Sequence, residues 1–113
     1  MKMQKLCAEG LGTALLLIGV VGSGIMAQTL TDDIAVALLA NAIATGCTLF
    51  FIITIFGPIS GAHFNPVVTL AFASTGEHPW PLAAAYIPVQ ILGGVAGVWL
   101  CHVMFVHAII QFS

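Results

Sequence analysis

The polar chemistry of this chain is concentrated in one stretch, Ser60-Gly61-Ala62-His63-Phe64-Asn65-Pro66-Val67-Val68-Thr69. Asn is a strong N-cap and Pro is favoured at the first helical position, so Asn65-Pro66 reads as a helix start. The residues ahead of it, Gly57-Pro58-Ile59-Ser60-Gly61-Ala62-His63, carry two Gly and a Pro and predict a break in helical geometry. A helix start carries a partial positive charge. The carbonyls of Gly61, Ala62 and His63 would offer acceptors along a path, and the amide of Asn65 would offer donors at its end. Such a path suits a small neutral solute able to both donate and accept, while the positive helix end opposes cations and protons. The alternative reading of the same residues is a plain membrane hairpin with a capped helix. No Ser/His/Asp or Cys/His arrangement and no phosphate loop accompanies the stretch, so enzyme activity is not expected.

The elements that hold this stretch are set by composition. Of 113 residues, 60% are hydrophobic and 5% charged, against about a quarter charged in an ordinary soluble domain. The mean hydropathy is +1.14. A short chain of this kind cannot cover its surface in water, which excludes a soluble enzyme, and its apolar content excludes disorder. A formal net charge of -2 leaves no basic footprint for nucleic acid. The partner these numbers require is a lipid bilayer.

The few charges divide the chain. Residues 10–31, 34–76 and 78–113 carry no Asp, Glu, Lys or Arg. A hydrocarbon core of about 30 Å needs about 20 helical residues, so the first and last runs each predict one span, at about 6–30 and about 81–110, with Trp80 at the interface. The middle run predicts a span at 34–56, then a re-entrant loop and half-helix at about 57–74. The apolar piece from Pro66 has about nine residues, or about 13 Å, near half the hydrocarbon thickness. The expected fold is thus an all-α membrane protein, one membrane domain over 1–113 with three transmembrane helices and a re-entrant half-helix. The alternative for the first run, a signal peptide, conflicts with an apolar stretch longer than the usual 7–15 residues. Lys2 and Lys5, the only cations, favour a cytoplasmic N-terminus, which puts Asp32-Asp33 outside and 57–78 on the cytoplasmic side.

Three steps of small residues predict close helix packing: Gly93/Gly97, Gly19/Ser23 and Ala42/Gly46. Cys7, Cys47 and Cys101 are widely spaced among apolar neighbours and imply neither disulfide frame nor zinc site. His102 and His107 lie about 140° apart on a helix, and His78 sits in a loop, so no metal or other cofactor is expected. Glu9, an ionisable group in a span, has three readings: structural support, an interfacial carboxylate, or a proton relay.

The stretch SGAHFNPVVTLA, Ser60 to Ala71, resembles the first signature loop of the aquaporin and aquaglyceroporin family, the major intrinsic proteins. The family's Asn-Pro-Ala stands here as Asn65-Pro66-Val67. AEGLGTALLLIGVVGSG from Ala8 resembles the family's first helix with its acidic residue at Glu9, and YIPVQILGG from Tyr86 its third helix with Gln90. The resemblance implies that Asn65, Pro66 and Val67 shape the pore, with Gly61, Ala62 and His63 as its carbonyl ladder and Val68 on its apolar wall. It places Thr45 at the selectivity constriction, with Leu49 one turn later on the same face. A Thr there instead of an aromatic implies a wider constriction, although a helical Thr also commonly bonds its own preceding turn. Glu9 becomes a buried acceptor holding the loop, and Gln90 a buried residue bonded to loop backbone. The closest flavour is bacterial aquaporin-like channels, some of them linked to polyols or metalloids, in the inner (plasma) membrane.

The family is built from two inverted repeats, and this chain contains one. It has no second Asn-Pro pair and no Arg, so the constriction arginine of the resemblance has no counterpart here. Two functions remain: a passive channel or its N-terminal half for water or small neutral solutes, and a non-conducting membrane subunit that packs with a second half or with full-length relatives. A homo-oligomer, a tetramer by analogy, is the implied assembly. A small multidrug-type exporter would need a carboxylate lining a cavity, and Glu9 is the only candidate.

Overall fold

The structure, a computed structural model, describes residues 2–112 and the side-chain surroundings of residues 2–106. Four helices follow one another: α1 (Lys2–Leu30), α2 (Ile34–Ser60), α3 (Pro66–Ser74) and α4 (Trp80–Phe112). α1, α2 and α4 are long and apolar enough to cross a membrane. α3, with nine residues, is not. Among the described residues there is no strand, and the chain is an all-α membrane protein.

α1 is the central element, packing against α2 on one side and α4 on the other, while α3 packs on α4. Three residues join α1 to α2, which forces the two helices antiparallel. The turn ends where Asp33 Oδ1 accepts from Ala35 N at 2.9 Å and Val36 N at 3.3 Å, a capping arrangement that satisfies the first amides of α2. α2 is apolar on every face yet buries only Ile52 and Ser60. Ile34 is 84% and Phe50 74% exposed, an apolar surface unsuited to water.

Small residues set the spacing of the bundle. A Cβ at Gly93 would strike the carbonyl of Gly10, and one at Gly97 the carbonyl of Ala14, so α4 lies on the backbone of α1. Gly19 opposes Thr48, and Gly24 opposes Asn41, whose amide reaches the Val20 carbonyl at 3.4 Å. The Ala42/Gly46 step differs. Gly46 faces open space, so this step packs nothing within the chain.

Helix ends depart from the expected spans. Gly57-Pro58 does not end α2 near residue 56; the helix runs on to Ser60 with Pro58 inside it, and α4 likewise holds Pro88. Proline removes one backbone donor, a loss that membrane helices tolerate. What ends α2 is Gly61 at φ 90°, whose N–H bonds the Gly57 carbonyl at 2.9 Å. α1 begins at Lys2, a turn before residue 6, and α4 runs from Trp80 to Phe112 rather than 81–110. Charge marks where a bilayer ends, and helical hydrogen bonding continues past it.

Replacing Gly97 by Val drives a side chain into α1 backbone and is expected to cost about 1–3 kcal/mol. Gly46→Val meets nothing and should stay within about 0.5 kcal/mol of the native chain. Unfolding by SDS in mixed micelles, followed by circular dichroism, measures both.

Candidate functional site

Between α2 and α3 the chain runs through residues 61–65 without helical bonding. Gly61 at φ 90°, Ala62 at φ 56° and Phe64 at φ 54° all occupy the left-handed region. For Ala62 and Phe64 that conformation costs about 1–2 kcal/mol each, so something must hold them there.

The holder is Glu9 of α1, wholly inaccessible to solvent. One oxygen, Oε2, accepts from Ser60 Oγ at 2.6 Å and from His63 N at 3.2 Å. The other, Oε1, accepts from Phe64 N at 2.9 Å and from Gln90 Nε2 at 2.7 Å. Four donors on one carboxylate offset the several kcal/mol that desolvating it costs. The Phe64 ring, 3% exposed, lies where Gly12 has no side chain and meets Phe56 edge-on at 6.2 Å. Tyr86 donates to the Ser60 carbonyl at 2.8 Å, tying α4 to the end of α2.

Gln90 differs from its expected role. It bonds no loop backbone; its Nε2 divides between Glu9 and Thr69 Oγ1, the latter at 2.9 Å. Turning the amide over would set its oxygen against the Glu9 carboxylate, so the orientation is dictated by charge. His63 Nδ1 lies 2.9 Å from Thr69 Oγ1, a hydroxyl that can donate to it or accept from it while also accepting from Gln90. Among the described residues Gln90 Oε1 stays buried with no partner.

Asn65 caps α3. Its backbone is extended (φ -157°, ψ 129°), its Oδ1 accepts from Val67 N at 2.8 Å, and Pro66 is the first helical residue. The cap uses the oxygen of Asn65, and among the described residues its amide hydrogens bond nothing. Among the described residues, no hydrogen bond reaches the carbonyls of Gly61, Ala62 or His63. Asn65, Pro66 and Gln90 share an open groove of about 800 Å³ with Thr13, Leu17 and Trp99. Val67 is 71% exposed and Val68 half-buried on α3. Thr45 and Leu49 sit half-buried on α2, away from this groove, and Thr45 Oγ1 donates to Asn41 Oδ1 at 3.1 Å.

Ser60, Phe64, Thr69 and Tyr86 belong to the site and carry no role in the sequence reading. Tyr86 and Gln90 are one helical turn apart, both polar in an apolar helix, and that spacing was the available signal. His102 is exposed, and the side chain of His107 lies outside the described residues. Among the described residues no group of three potential metal ligands forms.

Glu9→Gln sets an amide hydrogen against donors and should cost about 2–4 kcal/mol, with rapid hydrogen exchange at His63 and Phe64 amides. Gln90→Leu removes one of four donors together with an unpartnered acceptor and should cost about 1 kcal/mol. Exchange-detected NMR in micelles compares the two.

The family model described as Major intrinsic protein matches residues 1–112. The chain is 54% identical over 102 residues to Aquaglyceroporin AqpS of Rhizobium meliloti (strain 1021), a match covering 90% of this chain and 44% of that protein. It is 40% identical over 103 residues to Aquaporin NIP1-2 of Arabidopsis thaliana, covering 91% of this chain and 34% of that one. To Nodulin-26 of Glycine max it is 35% identical over 111 residues, covering 98% and 40%. The chain thus spans less than half the length of these curated relatives. With the match running through all four helices, the chain belongs to the major intrinsic protein family.

Proposed function

We propose that the chain is one half of a passive channel for water or small neutral solutes, with residues 61–65 and the start of α3 forming its part of the path. The family consists of passive channels, not enzymes. The observation that carries the reading is Asn65: its oxygen is spent on the cap while its amide hydrogens stay free, next to three carbonyls that accept no bond among the described residues. Donors and acceptors in succession are what a solute shedding its hydration needs, and the helix start beside them opposes cations. In this reading Pro66 and Val67 shape the mouth of α3 and Val68 supplies apolar wall. Thr45 and Leu49 face the constriction from α2. Glu9 and Gln90 support the loop without touching solute.

The name aquaglyceroporin borne by the bacterial relative, and a Thr at position 45, favour small polyols or metalloid hydroxides beside water. Lys2 and Lys5 favour a cytoplasmic N-terminus in a bacterial plasma membrane. A second reading, a non-conducting membrane subunit that packs with a second half or with full-length relatives, is supported by one observation. The groove of about 800 Å³ beside Asn65 is open, and Gln90 Oε1 nearby is buried without a partner. Copies of this chain in opposite orientations, or a tetramer of completed channels, are the assemblies this leaves.

Stopped-flow shrinkage of liposomes holding only this chain tests the readings, with Val68→Trp as the blocked variant. Flux tenfold above empty liposomes, abolished by the substitution, is expected if copies complete the pore between them. Flux equal to empty liposomes assigns the chain to the second reading.

A further inference from the structure

The turn between α3 and α4 brings a second histidine onto the loop. The ring of His78 lies 4.8 Å from that of His63 and 4.7 Å from Tyr86, and His63 lies 5.4 Å from Tyr86. Phe72 stacks on the other side of His63 at 4.9 Å. His63 is therefore clamped between α3, α4 and the turn, and its backbone N–H is one of the four donors on Glu9. Among the described residues His78 Nε2 is buried there without a hydrogen-bond partner.

We infer that His78 is a positioning residue for the loop 61–65, acting through the ring of His63, and that protonation of this imidazole pair releases the loop. A proton on His78 Nε2 would create a buried donor with nothing to accept it. A proton on His63 Nδ1 makes that nitrogen a donor toward Thr69 Oγ1 and fixes the Thr69 hydroxyl as an acceptor of two bonds, from His63 and from Gln90. Charging both rings sets like charges against each other with ring centres 4.8 Å apart. A proton on His78 Nε2, or a charge on both rings at once, is thus opposed in the closed cluster.

Each element packed against the pair brings its own polar groups. α1 contributes the Glu9 carboxylate and the more distant Lys5; α4 contributes the Tyr86 hydroxyl, committed to the Ser60 carbonyl. α3 presents the uncharged Thr69 and Phe72, α2 ends at Ser60, and Glu77 precedes His78 in the turn. Burial lowers the His78 pKa from its ordinary 6.5, His63 and Lys5 act in the same sense, and Glu9 opposes them. A lowered value means that the open form binds protons first. The closed form is thus favoured in full above pH about 6.5 and weakened as pH falls below it. That the released loop lines a pore rests on the channel reading; the hold of His78 on the loop, a latch, does not.

The test uses the isotope-labelled full chain in lipid nanodiscs, followed by NMR from pH 8 to pH 5. The amide resonances of His63 and Phe64 are expected to move together with the His78 ring, with a midpoint below pH 6.5. In His78→Phe, which keeps a ring in the cluster but cannot charge, that amide response should shrink at least twofold with helix content unchanged. Where His78→Phe does not fold, His78→Gln is read in the same way. Loop amides that stay still from pH 8 to 5, or that respond identically without His78, overturn the proposal. No flux is measured, so a chain that conducts nothing leaves this result standing, and flat amides sink the latch even in a conducting chain.

Discussion

A single buried carboxylate organises this molecule. Glu9 gathers donors from the end of α2, from two backbone amides of the loop and from α4. Inside lipid there is no water to substitute for any of them, so the loop is held to the shape that delivers its N–H groups to those two oxygens. That demand accounts for left-handed backbone at Ala62 and Phe64, which neither residue would choose by itself. The strain is local and the compensation comes from a helix more than fifty residues earlier in the chain.

The network could not close without the absence of side chains. Gly12 leaves room for the Phe64 ring, and Gly93 and Gly97 let α4 lie against the carbonyls of Gly10 and Ala14, which brings Gln90 within reach of Glu9. Small residues and polar residues thus do complementary work along α1. The glycines set the distance between helices, and the carboxylate uses that distance. α2 contributes less packing and presents most of its surface to lipid.

Two populations of polar groups result. Glu9, Thr69, Tyr86 and Ser60 are buried and bonded, and their bonds fix geometry. The Asn65 amide, beside an open groove, and the carbonyls of 61–63 keep unspent capacity among the described residues. The division is physical: a group already bonded within the protein has nothing to give a passing solute, whereas one held rigid but unspent can replace a hydration shell. The channel reading assigns conduction to the second population and support to the first.

Much of this was legible along the chain. Composition alone requires lipid, since 5% charge cannot solvate a short domain. The spacing of charges predicts three spans, and the Asn65-Pro66 pair marks the start of α3, because capping is a local property of two or three residues. Local rules erred where context outweighs them: Gly57-Pro58 reads as a break, yet the helix continues to Gly61, where a left-handed residue ends it. The companions of Glu9 were less visible still. Ser60, Thr69 and Gln90 are 51, 60 and 81 residues from it, and no periodicity connects positions so far apart. That Gln90 serves Glu9 and Thr69 instead of loop backbone, and that His78 meets His63, follow from how α4 docks on α1 and α3. The amino-acid sequence by itself determined the solvent, the helices and the cap, because these depend on residues near one another in the chain. The docking of helices decided which polar groups are spent and which stay free, because hydrogen-bond partners in lipid are chosen by distance in space.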